Sequence, residues 1–260
     1  MDKLWKYIIF ASAIVLAAIV LSAAVTQRYR INNGTIAVTG LGETEFTSDL
    51  IVIEGKIEAE NYDAAVAYHN LEEHRNRIVE FLTSKGVTEE AISFDMPYTS
   101  ELTRSIYENG DYVGQQFAGY NIEQSFTIES NDVDTTEDAA RELPSLIAEG
   151  LKIRVYNPMY YYSGLEDVKL SLLAAAAADA RERAQNIAES SEAMLGELKM
   201  SRAGVFQITA ATGDEEFSAG GSFNLSSREK KARVTVRSEF KIKSIDAITY
   251  QVGIVFLLTN

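Results

Sequence analysis

Hydrophobic and polar positions divide the chain into a long apolar run followed by alternating and helical patterns. Tyr7 to Val25 (YIIFASAIVLAAIVLSAAV) holds no charged side chain. A helix rises ~1.5 Å per residue, so this run spans about 28 Å, close to the thickness of a bilayer core. Lys3 and Lys6 flank one end and Arg28 and Arg30 the other, with Trp5, Tyr7 and Tyr29 near the two interfaces. The run has no polar face and is longer than a signal-peptide apolar region. It therefore predicts an uncleaved transmembrane signal-anchor over 7–25. The alternative is a cleaved signal ending at Ser22-Ala23-Ala24. The short tail 1–6 is placed in the cytoplasm and the bulk of the chain outside, at the periplasm or cell surface.

Residues 26–34 (TQRYRINNG) are polar and close on a turn signal, so they form a linker. Alternation from Thr35 to Leu41 and from Asp49 to Glu60 predicts two strands. Asn61 or Asp63 caps a helix to Ser84, with Ala67, Leu71, Ile78 and Phe81 as its apolar stripe and Lys85-Gly86 as its stop. Two long strands follow, Ala91 to Tyr107 and Tyr112 to Glu129, turned at Asn109-Gly110. Asp132 or Asp134 opens a helix to Glu149, and Leu151 to Tyr162 reads as one strand. Ser163 to Glu166 fits a capping box. The alanine-rich helix behind it reaches Ser190 and repeats Leu172, Ala176, Ala180, Ala184 and Ala188 every four residues, a thin face for close packing. Strands near Glu197 to Ala210 and Lys231 to Lys243 complete the order β-β-α-β-β-α-β-α-β-β, with a Gly/Ser-rich loop, Thr212 to Arg228, between them. This order predicts an α+β sandwich of mostly antiparallel strands, in which 49–162 has the sequence of a split βαβ unit.

Composition narrows the function. There is no cysteine, which excludes disulfides, thiolate catalysis and Cys-ligated metal. The net charge is −14, and the first thirty residues are basic, so the remainder is more acidic still. Such a domain repels phosphate backbones, and no nucleic-acid partner is expected.

Five stretches together resemble the SIMPL domain, the YggE-like family. They are Ile36 to Gly42 (IAVTGLG) with Asp49 opening the next strand; Lys85-Gly86-Val87 leading to Ala91-Ile92; Ala118-Gly119-Tyr120-Asn121; the alanine helix Ala174 to Ala188 with its Leu195-Gly196 exit; and the alternating Lys231 to Phe240. The resemblance covers about 35–243. Family members often approach the final strand through Pro-Gly, where this chain has Ser226 to Glu229, and residues 244–260 run beyond the expected end as a tail without an assigned role. The resemblance implies a SIMPL-type fold in a bacterial envelope or secreted protein, without established catalytic residues. Some relatives assemble into rings.

Candidate chemistry is sparse. His69 and His74 stand five residues apart on one helix, which turns their rings about 140° apart, too far to share a metal. Gly40-Leu41-Gly42 lacks the third glycine of a dinucleotide loop and reads as a tight turn. The pairs Glu72/Glu73, Glu89/Glu90 and Glu215/Glu216 are sequence neighbours that point apart. Ser130 to Asp138 (SNDVDTTED) lacks the glycine and distal Glu of a calcium loop and fits helix capping. No catalytic residue, metal ligand or cofactor is expected. The cluster Tyr156, Tyr160, Tyr161 and Tyr162 is the candidate interface, since strand alternation sends Tyr161 to the face opposite Tyr160 and Tyr162. A hairpin from Ala91 to Glu129 would reach roughly 50 Å at about 3.3 Å per residue and would project from a domain of this size. These features predict a self-associating, non-catalytic envelope scaffold or stress-related protein. The alternative is an envelope binding module for a small molecule or peptide, with its pocket at the tyrosines.

Overall fold

The computed structural model of the protein describes residues 12–23, 34–212 and 218–244. In chain order, β1 (Thr35–Thr47) and β2 (Leu50–Asn61) lead into helix α1 (Ala64–Ser84). Strands β3 (Ile92–Phe94), β4 (Tyr98–Glu108) and β5 (Asp111–Ser130) follow. Helix α2 (Val133–Glu142) continues as a 3₁₀ stretch, Leu143–Glu149. Strands β6 (Lys152–Val155) and β7 (Met159–Tyr161) precede helix α3 (Leu165–Ser190). Strands β8 (Ala193–Ala203), β9 (Gln207–Ala210), β10 (Ser222–Phe223) and β11 (Glu229–Ser244) complete the order.

Two sheets form among the described residues. In one, β1 lies along one side of β11 and β8 and β9 along the other, with β10 beyond β9. In the other, β3 and β4 follow one another along β5, β5 pairs β2, and β6 and β7 follow one another along β2. All pairings are antiparallel except β9–β10. From Leu50 to Tyr161 this is the split βαβ arrangement that the element order predicts.

Each sheet has its own core. Ala67, Leu71, Ile78 and Leu82 of α1 meet Ile51, Ile53, Ile57, Phe126 and Ile128 of β2 and β5. Leu82 completes the stripe, whereas Phe81 is only partly buried. The alanine face of α3 lies on β1 and β11, with Leu172 and Ala176 against Val234 and Val236, and Ala180 and Ala184 against Val38 and Phe240. The layers are therefore helix on sheet, twice, and not one shared sandwich core. The other face of the β1–β11 sheet is polar and bears cross-strand pairs such as Lys231–Glu45 at 2.8 Å and Arg233–Glu43 at 2.9 Å.

Several expected elements are shorter than predicted. Pro97 separates β3 from β4, Pro144 stands where α2 tightens to 3₁₀, and Pro158 separates β6 from β7. Proline has no N–H for a ladder or helix, so each interrupts a run whose apolar pattern continues through it. Gly204 divides the predicted Glu197 to Ala210 strand into β8 and β9, its N–H donating to Thr235 O at 2.8 Å. The expected capping box does not form. Gly164 is the N-cap of α3, and the Ser163 hydroxyl donates instead to the Asp49 carboxylate at 2.5 Å. Asp63 and Asp132 do cap α1 and α2, accepting from Ala65 N at 2.8 Å and Thr135 N at 3.2 Å.

Gly40-Leu41-Gly42 is not a turn but the middle of β1. A Cβ at Gly40 would lie 2.1 Å from Ala176 O, and one at Gly42 would lie 2.3 Å from Leu172 O. Strand glycines and helix alanines thus let the two backbones approach one another, which is the reason for both sequence patterns.

Residues 12–23 are helical. No helix among the described residues is long and apolar enough to cross a membrane. The rest of the predicted 7–25 segment lies outside the described residues, as do the tail 1–6, most of the linker, Glu215/Glu216 and nearly all of the C-terminal tail.

Candidate interaction surface

The hairpin of β4 and β5 leaves its sheet as a two-stranded arm. Asn109 and Gly110 both take positive φ, 55° and 93°, the requirement of a two-residue hairpin turn whose twist matches its strands. Strand β2 pairs β5 only from Tyr120 onward, opposite Asn61. Among the described residues, 111–119 of β5 therefore have β4 on one side and no strand on the other, over roughly 30 Å at about 3.4 Å per residue. The outer edge of β4 is likewise without a strand partner among the described residues.

A β-bulge marks the base of the arm. Leu102 pairs with Gly119 and Thr103 with Phe117, so Ala118 is extra. Gly119 sits at φ 129°, and a Cβ there would lie 2.7 Å from Asn61 O. The Ala118-Gly119-Tyr120-Asn121 motif is thus the point where β5 bends away from β2. A second bulge between Ile106 and Tyr107 places Gly114 at φ 153° with nothing within 4 Å of its missing Cβ.

Aromatic rings occupy both ends of the arm. At the tip, Tyr107 and Tyr112 are exposed and meet edge to face at 5.9 Å. At the base, Phe117 lies 5.1 Å from both Tyr62 and Tyr120. Ile106 and Val113 are exposed between them, alongside Glu101, Arg104, Glu108 and Asp111. Charges and bulges of this kind keep an edge strand from pairing indiscriminately.

On the free edge of β1 one backbone donor is taken up by a side chain. The Leu41 N–H, on the free side of β1, donates to the Asp179 carboxylate of α3 at 2.7 Å. The side chain of Arg183, first, and this N–H, second, hold the Asp179 carboxyl below its usual value.

The predicted tyrosine cluster does not form one patch. Tyr160 is a core residue of the β2–β5 sheet, 6% exposed, because β7 pairs with β2 and turns it inward. Burial, aided by a hydrogen bond to Glu137, pushes its phenol up to about 12. Tyr162 lies past the end of β7 and packs on Phe46 of β1 at 4.7 Å, bridging the two halves. Tyr161 is half-buried with its hydroxyl 3.9 Å from Met159 Sδ, and Tyr156 is the exposed member. Sequence reasoning placed the interface on these residues, of which only Tyr156 is exposed; exposed aromatics stand on the arm at Tyr107 and Tyr112 and also off it, at Tyr68 and Phe223. The repeated Tyr/Val/Ile positions around Asn109-Gly110 were the signal available for those on the arm.

His69 is exposed and faces Glu73 at 3.5 Å. His74 is half-buried, and desolvation lowers its pKa. No group of three His, Asp or Glu side chains among the described residues is placed to hold a metal ion.

The two halves join through few, specific contacts. Arg228, before β11, makes a two-pronged pair with Asp134 of α2, one prong at 3.2 Å. Tyr160 N donates to Leu225 O at 2.8 Å, and Asp49 accepts from Ser163.

No curated protein matches the chain. Among solved structures, a de novo designed protein, Foldit4, is 15% identical, covering 41% of this chain and 93% of its own, with a TM-score of 0.23, a likeness too slight to argue from. The family model of SIMPL, described as a protein of unknown function (DUF541), matches residues 36–240, from the second residue of β1 deep into β11. The chain belongs to the SIMPL family.

Proposed function

We propose that this SIMPL protein is a non-catalytic scaffold of the cell envelope, anchored in the membrane by residues 7–25, with its large domain outside the cytoplasm, and that its copies join through the β4–β5 arm. The arm carries the reading. It projects with no strand partner on either edge among the described residues and with aromatic side chains at tip and base, the chemistry of a surface that meets another chain. One repeated heterologous contact of this kind closes into a ring and leaves no edge unpaired. Anchoring supports it, because chains confined to a membrane meet at raised local concentration. The apolar run Tyr7 to Val25, with basic residues at both ends, supports the anchor.

The test is the mass of the detergent-solubilised full-length protein by light scattering. An oligomer larger than a dimer is expected, and removal of Arg104 to Gly114 lowers its order. A monomer at tens of micromolar overturns the scaffold and favours a binding module for a small molecule or peptide.

A further inference from the structure

On the polar face of the β1–β11 sheet, Lys231 and Arg233 have the carboxylates of Glu45 and Glu43 beside them, and Lys199 has that of Glu239 at 3.0 Å. One cross-strand pair departs from this pattern. Arg202 of β8 stands directly opposite Arg237 of β11, and both are exposed. One position along, the Ser201 and Ser238 hydroxyls lie 3.1 Å apart, and Ser238 is buried in line with Val236 and Phe240 under α3. Alternation therefore sends both arginines to the opposite, polar face. Like charges directly opposite one another destabilise a strand pair. Neither guanidinium has a hydrogen bond or ion pair among the described residues. Glu239, two residues along β11, is committed elsewhere: the hydrogen bond from Lys199 is the first cause of its lowered pKa and the charge of Arg237 the last.

The tip of the β4–β5 arm carries the same arrangement with the opposite sign. Glu108 stands opposite Asp111 across the Asn109-Gly110 turn, and both are exposed. Neither carboxylate has a hydrogen bond or ion pair among the described residues. Partners across an antiparallel pair stand about 4.5–5.5 Å apart between Cα atoms, so two carboxylates and two guanidiniums are set at one common spacing. A guanidinium is a planar fork of donors that takes a carboxylate by both oxygens. Apolar side chains stand beside each pair. Tyr107 and Tyr112 are next along the hairpin, and exposed Leu41 and Met200 lie one step to either side of the arginines on the same face, opposite Thr235 and Glu239.

We infer that the Arg202–Arg237 pair is the docking site for the arm of a second copy of this chain, whose Glu108 and Asp111 meet the two arginines. The inference rests on the self-association proposed above and supplies the acceptor surface which that reading leaves unnamed. The arm leaves one sheet and the arginines lie on the other, so donor and acceptor are different surfaces and the contact is heterologous. Joined, each like-charged pair gains the opposite charge that its own strands withhold. Two copies of a chain of net charge −14 repel one another as wholes, and a cationic patch facing an acidic tip fixes where they meet.

The test exchanges the signs. Light scattering measures the mass of the detergent-solubilised full-length protein in two double variants, Arg202→Glu with Arg237→Glu and Glu108→Lys with Asp111→Lys. Each replaces one exposed like-charged pair by another, so the denaturant midpoint should stay at the wild-type value while the oligomer order falls. The chain carrying all four changes should regain the wild-type order, because tip and acceptor attract again with their signs exchanged. Arg202→Gln with Arg237→Gln removes the charge without reversing it; it should also lower the order, and it stands in for a reversed chain that fails to fold. An oligomer of unchanged mass in either double variant overturns the inference and leaves self-association standing on another surface. So does a folded quadruple variant that stays dissociated. A monomeric wild type overturns the self-association reading and this inference with it.

Discussion

Helix α3 lies on β1 with backbone nearly touching backbone, whereas the arm of β4 and β5 touches little but itself. Both regions use glycine. Gly40 and Gly42 are there because a side chain has nowhere to go, with Ala176 O and Leu172 O in its place. Gly110 and Gly114 have open space around the missing Cβ and are there because the chain turns through positive φ. Gly119, at the base of the arm, has both reasons at once. Space is the constraint where the fold is held together, and conformation is the constraint where the surface is shaped. On the free edge of β1 the Leu41 N–H is taken up by Asp179, while the edges of the arm have no strand partner among the described residues.

Substitutions should separate the two regions, beginning with the largest effect. Gly40→Val drives a branched side chain into the α3 backbone and should destabilise the domain by about 3 kcal/mol or more, read from the denaturant midpoint. No change in midpoint would mean that α3 can lift from β1, and the contrast would fail. Gly119→Ala should lose about 1–3 kcal/mol, because both the positive φ and the contact with Asn61 O oppose it. It should also lower the oligomer order, since the bulge aims the arm. Gly110→Ala strains only the turn, by about 1 kcal/mol, in a part of the molecule that can open locally. Amide exchange should quicken across residues 103–118 while the global midpoint stays within about 0.5 kcal/mol of wild type. An equal fall in the global midpoint would show that arm and core unfold as one unit.

The smallest effect concerns the junction. Hydrogen bonding to the Arg228 guanidinium, reinforced by its charge, holds the Asp134 carboxyl below the usual carboxylate range. Because its folded value is depressed, the pair contributes above the unfolded carboxyl value of about 4 and loses its contribution as pH falls through the folded one. The Asp134 side chain is well exposed and that of Arg228 about one third so, and the effect is small. Asp134→Asn should lower the thermal midpoint slightly at neutral pH, and the difference should shrink as pH falls through the depressed folded value of Asp134. A difference that persists in acid would assign the loss to packing and not to charge.

Much of the fold was legible from periodicity. The α1 and α3 stripes, the Asn109-Gly110 turn and the split βαβ order follow from apolar spacing and turn chemistry. The breaks at Pro97, Pro144 and Pro158 were visible too, but apolar spacing runs through a missing N–H and hides it. Gly40 and Gly42 were misread because close approach depends on a helix more than a hundred residues away. The site was less legible. A cluster of tyrosines on a strand looks the same whether the strand lies along a buried neighbour or at an edge, and the pairing of β7 with β2 buried Tyr160. The reach of the hairpin was legible because β4 and β5 outlast the strand beside them, and length can be counted.

The ladder between β1 and β11 has a mechanical consequence. Any load arriving through the N-terminal linker enters the domain at Thr35, along the axis of β1. The inter-strand bonds of an antiparallel pair run across that axis. A pull therefore shears the thirteen residues of β1 against β11 together, and does not unzip them one by one. The Asp179 contact at Leu41 and the glycine–alanine seam under α3 resist the same sliding. Resistance of this kind is set by the rate of forced unfolding and not by equilibrium stability. Pulling single molecules from Thr35 with the arm held should give a higher rupture force than pulling β1 and β11 apart at Thr35 and Lys241, where the same ladder opens like a zip.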